Sequence, residues 1–421
     1  MSVLIKNSLL NGIGQDILIE GDRIAKIAPV IQTPADCERI IDGANTAAVP
    51  GFHNCHAHSA MTVFRGYGDD LPLMKWLEEY IWPVEAKMTE EDCYWGARLA
   101  CLEMIKSGTT AFMDMYMNPH STAQAAVDTG MRAVVSYTLF DQGSEERAAK
   151  DRDNSLKYLY EFQEMYPDTI RFSVGPHAIY TVSGEQLRFC HNFAKEHDVI
   201  IHLHMSETKG EVDECMKLHN TTPIRYLDRL GVLSPNLTIA HGLWMDEEEL
   251  DLLAANGVNV IHNPASNMKL ASGYKFLYEE MRGRGIDVGL GTDGCSSSNN
   301  LDMLEAMKLA SLLGKVWRYD STAVSASEIF RSATETGARI LHTGAGKLEE
   351  GYKADLCLVD LSLPEMTPLH DLTSNLVYSA NGSCVKTTVI NGRIVMLDRV
   401  VEGEEEIKEK VRAIARRLIK R

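Results

Sequence analysis

The chain has 421 residues, of which 45% are hydrophobic and 24% are charged, a composition typical of a folded globular protein and unlike that of a disordered or collagen-like chain. Its 59 acidic and 42 basic side chains give a net charge of −17, which disfavours nucleic acid and anionic membranes as partners because both require a basic surface. The nine cysteines are scattered and none forms a C-x-x-C pair, as expected of reduced thiols in the cytoplasm, and we find neither a signal peptide nor a membrane-spanning apolar run.

Both ends of the chain predict short β-strands with alternating apolar residues. Near the C-terminal end, Asn391-Gly392 between two such runs is a strong hairpin signal. Neither block is long enough to build a core alone, so the sequence predicts one small β-sandwich domain assembled from residues 1–48 and 346–421. A helix that starts with acidic and ends with basic side chains is predicted at 403–421.

The middle of the chain alternates short β-rich runs with longer helical stretches. This alternation indicates an α/β fold with a parallel sheet, and eight repeats predict a (β/α)8 TIM barrel over residues 49–345. The eight strand candidates are 46–52, 109–115, 132–139, 170–176, 199–204, 237–241, 258–262 and 286–293.

Histidines and aspartates are concentrated at the ends of these predicted strands. Active sites of such barrels lie at the carboxyl ends of the strands, so we expect these side chains to meet in one place. The residues concerned are His56, His58, Asp114, His177, His204, His241, His262 and Asp293.

Two histidine pairs carry the prediction of a metal site. His56 and His58 stand two residues apart in a strand, so both rings can face one cation. His202 and His204 also share a strand face, and either could be a ligand. We favour His204 because it stands at the strand end, three residues before Glu207.

A carboxylate completes the predicted ligand set. Asp293 follows the last strand within GTDG, and three imidazoles and one carboxylate can hold one divalent cation, zinc or alternatively iron(II), with a position left for water. His177 stands where a binuclear site would need a bridging lysine, which favours a single ion. A bound cation lowers the pKa of the water that it binds. Glu207 can transfer a proton of that water, and Asp293 can accept a hydrogen bond from the water. His241 can stabilise the oxyanion that forms. The predicted chemistry is metal-assisted hydrolytic attack on an electrophilic carbon.

Several motifs together resemble the amidohydrolase superfamily. The branch that they resemble comprises the 5′-methylthioadenosine/S-adenosylhomocysteine deaminases, with the chlorotriazine hydrolases close by. The resemblance extends to about residue 400 and implies the same barrel, the metal ligands His56, His58, His204 and Asp293, proton transfer by Glu207 and a catalytic role for His241. The motifs are PGFHNCHAHSAM (50–61), GPHAIYT (175–181), IHLHMSET (201–208), IAHG (239–242), HNPASNMKLASG (262–273) and GTDG (291–294).

The resemblance also implies contacts with a nucleoside substrate. Trp76 would pack on the nucleoside, Glu85 would bind the ribose hydroxyls, and His177 would reach a ring nitrogen of the base. The implied reaction is deamination of an adenine nucleoside to the inosine analogue and ammonia, with methylthioadenosine, S-adenosylhomocysteine, adenosine and 5′-deoxyadenosine as candidate substrates.

Tyr137 departs from the family pattern. Members that act on S-adenosylhomocysteine tend to carry an arginine there, and a tyrosine cannot form the bidentate pair with the amino-acid carboxylate. Arg147 or Arg152 could compensate, but we expect methylthioadenosine or another 5′-modified adenosine to be preferred.

Two alternatives stay open at this point. The same metal chemistry could act on another heterocycle, such as a triazine, a guanine-like base or a pterin. A binding protein that has lost its chemistry is disfavoured because every expected ligand is present. We expect a small nucleoside as the partner and a cytoplasmic location. A monomer and a homo-oligomer both stay open.

Overall fold

The computed structural model describes residues 2–419, which form two β-sheets and a layer of helices. The strands are β1 (Ser2–Leu10), β2 (Ile13–Glu20), β3 (Arg23–Ala28), β4 (Arg39–Asp42), β5 (Thr46–Pro50), β6 (Phe52–Ala57), β7 (Thr109–Tyr116), β8 (Arg132–Leu139), β9 (Ile170–Pro176), β10 (Ile200–Met205), β11 (Leu237–His241), β12 (Asn259–His262), β13 (Val288–Leu290), β14 (Leu356–Asp360), β15 (Val385–Ile390) and β16 (Arg393–Met396).

The helices fill most of the sequence between the barrel strands. They are α1 (Leu73–Trp76), α2 (Trp82–Glu85), α3 (Glu90–Lys106), α4 (Pro119–Thr129), α5 (Glu145–Met165), α6 (Gly184–His197), α7 (Lys209–His219), α8 (Pro223–Leu230), α9 (Glu247–Ala255), α10 (Pro264–Lys269), α11 (Tyr278–Gly283), α12 (Cys295–Ser298), α13 (Met303–Arg318), α14 (Ala326–Arg331), α15 (Gly337–Ile340), α16 (Leu372–Tyr378) and α17 (Glu404–Leu418). The terminal helix predicted at 403–421 is α17, and the last two residues of that prediction lie outside the described part of the chain. Over residues 2–419, no helix combines the length and apolar character that crossing a bilayer requires.

Eight parallel strands form the barrel, in the unbroken order β6 to β13. The first and last strands meet through the backbone, since the N–H of Asp293, just beyond β13, donates to the carbonyl oxygen of His56 in β6 at 3.0 Å. The carboxyl ends of all eight strands therefore open on one side. The predicted TIM barrel is confirmed.

The second sheet is mostly antiparallel and is built from both ends of the chain. Its order is β16-β15-β14-β5-β1-β2-β3, with β4 pairing beside β1. The hairpin predicted at Asn391-Gly392 joins β15 to β16. The predicted β domain drawn from both termini is thus confirmed, while its exact boundaries stay a prediction.

The first barrel strand differs from the one expected at 46–52. Residues Thr46–Pro50 form β5, which pairs with β14 in the terminal sheet, and the barrel begins with β6 at Phe52. The chain passes from one sheet to the other at Gly51, where a Cβ would lie 2.2 Å from Thr110 Cγ2. β5 is as buried and apolar as a barrel strand, so its composition does not show which sheet it joins.

A segment between β6 and α3 covers part of the carboxyl-end face. It contains a 3-10 turn at Ser59–Phe64, then α1, a π-helical turn at Leu77–Ile81 and α2. Trp76 of this segment is 5% exposed and packs in an apolar cluster with Phe64 and Ile81. This packing brings Trp76 and Glu85 over the strand ends.

Candidate active site

His56 and His58 lie at and just beyond the end of β6, where both rings approach Asp293. The Nε2 atoms of His56 and His58 lie 3.3 Å and 3.2 Å from Oδ1 of Asp293. Nδ1 of His58 lies 2.6 Å from the carbonyl oxygen of Met115, which only accepts hydrogen bonds, so the free nitrogen of His58 faces Asp293.

His204, at the end of β10, joins the same cluster. Its Nδ1 lies 2.9 Å from the carbonyl oxygen of His177, and its Nε2 lies 3.3 Å from Nε2 of His58. His202, the alternative left open by the sequence, points to the other side of His56, with its Nε2 2.7 Å from Nδ1 of that ring. Of the two strand histidines, His204 therefore faces the cluster of free nitrogens.

Asp293 is held in position by its backbone and its neighbours. Its φ of +64° is a conformation that aspartate tolerates better than most residues, and it turns the carboxylate back toward β6. Oδ2 accepts hydrogen bonds from Ser266 at 2.5 Å and Ser297 at 3.2 Å. Gly291 allows the close approach, since a Cβ there would lie 2.8 Å from His56 Cβ.

This arrangement fits a divalent cation. The described residues contain two overlapping groups able to hold one: His56, His58 and His204, and His56, His241 and Asp293. Ligand atoms about 2.1 Å from a tetrahedral zinc ion would stand roughly 3.4 Å from one another, close to the separations observed here. The buried Nε2 of His56 has no hydrogen-bond partner, as a nitrogen reserved for a metal would require.

The charges of the cluster are strongly coupled. Burial lowers the pKa of His56 to about 4, whereas for His58 burial is outweighed by the hydrogen bond and charge of Asp293, which raise its pKa to about 9. Burial also opposes ionisation of Asp293, but the two imidazoles hold the pKa of its carboxyl well below the usual range. A cation would compete with the proton on His58 for the same nitrogen.

Two further polar side chains stand beside this cluster. Nε2 of His241 lies 3.9 Å from the carboxylate of Glu207. Burial raises the pKa of Glu207, an effect that the charge of His241 partly opposes. A carboxyl with a raised pKa beside a metal cluster is suited to accept and return a proton.

Glu211 supports Glu207, and the sequence reasoning missed it. Its two carboxylate oxygens accept the backbone N–H groups of Ser206 at 2.9 Å and Glu207 at 2.8 Å. Ser206 has a φ of +51°, so this carboxylate stabilises an unusual turn directly before Glu207. Burial raises the pKa of Glu211 to about 7. The only sequence signal is the T-x-x-E spacing from Thr208, which resembles an ordinary helix cap.

His58, His204, Asp293, Glu207 and His241 open into one cavity of about 140 Å³. Its walls include Trp76, Glu85 and His177, and the described residues that line it include no lysine or arginine. The phenol of Tyr116 donates to Glu85 at 2.6 Å, and burial raises the pKa of the Glu85 carboxyl. The ring of His177 stacks on Phe140 with a centroid distance of 4.3 Å, and burial lowers its pKa to about 3, which keeps the imidazole neutral.

Tyr137 and Arg147, expected to meet the substrate, do not line this cavity. Ser136 points into the barrel toward His202, so the next side chain along β8 must point outward to the helices. The hydroxyl of Tyr137 accordingly donates to Asp151 at 2.8 Å. Arg147 is exposed and donates to Gln142 at 2.6 Å. The geometry gives no support to substrate contacts by these two residues, which stay a prediction.

Arg152 and the remaining strand-end residues have other partners. Arg152 pairs with Glu145 and donates to Gln186, away from the cavity walls. Asp114 accepts the backbone N–H of Ser59 at 2.5 Å and so holds the turn after His58. His262 stacks on Phe276 with a centroid distance of 3.9 Å.

The chain is similar to known proteins over nearly its whole length. The model of the amidohydrolase family matches residues 47–395. A 5′-deoxyadenosine deaminase from Methanoregula boonei is 45% identical over 100% of this chain and 96% of that protein. A 5-methylthioadenosine/S-adenosylhomocysteine deaminase from Thermococcus onnurineus is 44% identical over 95% of both proteins. A solved structure of an adenosine deaminase from Xanthomonas campestris with bound zinc has a TM-score of 0.93 and 31% identity, and the match covers 99% of this chain and 98% of that one.

Proposed function

This chain belongs to the amidohydrolase family, and we propose that it is a metal-dependent hydrolytic deaminase that converts 5′-modified adenine nucleosides to inosine analogues and ammonia. The observation that carries this proposal is that the histidine–aspartate cluster and Glu207 open into the same cavity as Trp76 and Glu85. The relatives named as deaminases of 5′-deoxyadenosine and 5-methylthioadenosine support the nucleoside as substrate.

Four side chains would hold a single divalent cation: His56, His58, His204 and Asp293. Zinc is the ion we favour because it is present in the Xanthomonas structure, and iron(II) suits the same nitrogen and oxygen donors. When bound, such an ion supplies a Lewis acid that makes water nucleophilic near neutral pH.

Glu207 moves the protons of the reaction. As the oxygen of water attacks C6 of the purine, the Glu207 carboxylate removes a proton from that water and delivers it to N1. The tetrahedral carbon then breaks its bond to the amino nitrogen, which takes the remaining proton of the attacking water and leaves as ammonia, and C6 keeps the oxygen as a carbonyl. His241, beside Glu207, stabilises the negative charge that develops on this oxygen.

The cavity walls support a nucleoside as the substrate. Trp76 packs on the nucleoside, Glu85 accepts hydrogen bonds from the ribose hydroxyls, and the neutral ring of His177 bonds a ring nitrogen of the base. Because no lysine or arginine stands among the described wall residues, uncharged 5′ groups such as methyl and methylthio are favoured over the charged amino-acid end of S-adenosylhomocysteine. The preference for uncharged 5′ groups therefore rests on this absence of lysine and arginine from the described cavity wall, and no longer on Tyr137.

A cytoplasmic location is also part of the proposal. The nine cysteines are free thiols, and eight of them are buried, in keeping with a reducing compartment. Nucleic acid and membranes are not expected as partners of so acidic a chain, and the oligomeric state stays open.

The test is ammonia release, followed together with the ultraviolet shift of the purine, on protein loaded with zinc or iron(II). The panel is 5′-deoxyadenosine, methylthioadenosine, adenosine and S-adenosylhomocysteine. We expect turnover of the first two, weaker turnover of S-adenosylhomocysteine, and no turnover after chelation. Loaded protein that leaves all four unchanged would refute the proposal.

A further inference from the structure

The three histidines of the cluster are oriented in two different ways. His58 and His204 each place Nδ1 against a backbone carbonyl oxygen, at 2.6 Å and 2.9 Å. A carbonyl only accepts, so both Nδ1 atoms carry a proton and the Nε2 atoms are the ones left to bind a metal. His56 has no such carbonyl, and its Nδ1 faces Nε2 of His202 at 2.7 Å.

An imidazole partner does not by itself decide the tautomer of His56. If His56 donates, its Nε2 has a free lone pair. If His202 donates instead, the proton of His56 stands on Nε2, and that nitrogen cannot bind a cation. The outcome therefore depends on what lies on the far side of His202.

The far side of His202 holds two buried hydroxyls. Nδ1 of His202 lies 3.4 Å from Oγ of Ser136, which in turn lies 2.7 Å from Oγ of Ser173. All of these side chains are fully buried. Ser136 can accept a hydrogen bond from His202 and donate one to Ser173. Each proton in this series of hydrogen bonds then points away from the metal cluster.

We propose that His202 is a positioning residue that accepts the Nδ1 proton of His56, and that Ser136 fixes His202 in the tautomer this requires. His202 thereby does for His56 what backbone carbonyls do for His58 and His204. The inference rests on the proposed function in one respect, namely that a cation binds at this cluster.

The experiment measures zinc affinity by competition with a chromogenic chelator, independently of turnover. We expect His202→Leu to weaken zinc binding by ~10–100-fold, the range typical of residues that orient metal ligands. His202→Gln, whose amide oxygen can accept from His56, should recover most of that loss. Ser136→Ala should give an intermediate loss because it removes the acceptor for His202.

His53→Leu is the matched control. His53 is equally buried in β6, but it bonds Thr343 and none of the cluster, so its variant should bind zinc as the wild type does. His202→Leu with the affinity of His53→Leu would overturn the proposal, as would equal losses in His202→Leu and His202→Gln. Wild-type protein that binds neither zinc nor iron(II) would overturn the proposed function as well, which separates the two failures.

A second measurement needs no variant. In zinc-loaded wild-type protein with nitrogen-15 histidine, proton–nitrogen correlation spectra report which ring nitrogens carry protons. We expect His202 to be protonated on Nδ1 and bare on Nε2. A proton on Nε2 of His202 would overturn the proposal even if every variant failed to fold.

Discussion

Nδ1 of His241 lies 2.8 Å from Oδ1 of Asn267, and both side chains are buried. Since an amide oxygen only accepts, this contact holds one proton on Nδ1, so a hydrogen bond from His241 to the oxyanion needs a second proton on Nε2, which faces Glu207 at 3.9 Å. The backbone contributes too, because His241 has a φ of +77° and the next N–H, that of Gly242, donates to Met205 at 3.0 Å. The ring therefore presents one fixed nitrogen to the cavity.

Replacing Asn267 should reduce catalysis without removing substrate binding. In Asn267→Leu the ring of His241 loses its acceptor, and we expect kcat to fall by ~10–100-fold, as for other residues that orient an active-site histidine. Asn267→Asp keeps an acceptor oxygen and should retain most of the activity. Steady-state kinetics on 5′-deoxyadenosine gives both values, and a leucine variant with only KM altered would argue against this role.

Replacing Glu207 should separate chemistry from metal binding. Glu207→Gln cannot move a proton, so we expect kcat to fall by about 10²–10⁴-fold. Metal analysis should find the same zinc content as in wild type, because Glu207 belongs to neither candidate ligand group. Glu196→Gln, an exposed change in α6, serves as the control and should alter neither value. Loss of zinc from the Glu207 variant would instead make this carboxylate a ligand.

The barrel was predictable because its parallel strands and helices alternate in the sequence over eight repeats. The prediction failed at β5, which joins the terminal sheet through β14, more than 300 residues along the chain. β5 is as apolar as a buried barrel strand. Which strand it pairs with depends on tertiary contacts, and the local sequence pattern does not show them. Only Gly51, at the crossing point, marks the change of sheet.

The candidate site was predictable to the extent that strand ends determine it. The strand-end rule and the i, i+2 spacing pointed to His56, His58 and His204. His202 shares the face of His204, and its contact with His56 shows that it faces away from the cluster. The sequence could not show that Tyr137 points away from the cavity, because the inward-facing residues of β8 are fixed only by the contact of Ser136 with His202. Asn267 was missed because it acts through another residue, which leaves no motif of its own.

Removing the buried ion pair between barrel and terminal sheet should destabilise the fold. Arg132 of β8 and Asp355 pair at 2.6 Å with side chains only 7% and 0% exposed, and Arg132 also contacts Asn391. Asp355→Ala leaves a buried cation unpaired and should lower the free energy of unfolding by about 3–5 kcal/mol.

The exposed pair of Arg339 and Asp287 is the control for that change. Their side chains are 56% and 35% exposed, so Asp287→Ala should cost only about 0–1 kcal/mol. Denaturant unfolding followed by circular dichroism compares the two variants. Equal effects would show that the buried pair contributes no more than a surface pair.

Replacing Glu85 should distinguish a nucleoside from a bare heterocycle as substrate. Glu85 lies in the cavity wall with one oxygen occupied by Tyr116, which leaves the other for a ribose hydroxyl. A hydrogen bond to a charged group contributes about 1.5–3 kcal/mol, so Glu85→Gln should raise KM for 5′-deoxyadenosine by roughly 10–100-fold. Inhibition by free adenine, which has no ribose, should hardly change. Tyr116→Phe keeps the carboxylate and should have a smaller effect on KM. If Glu85→Gln weakened adenine and the nucleoside equally, Glu85 would not contact the sugar, and a non-ribosyl ring would become the better candidate substrate.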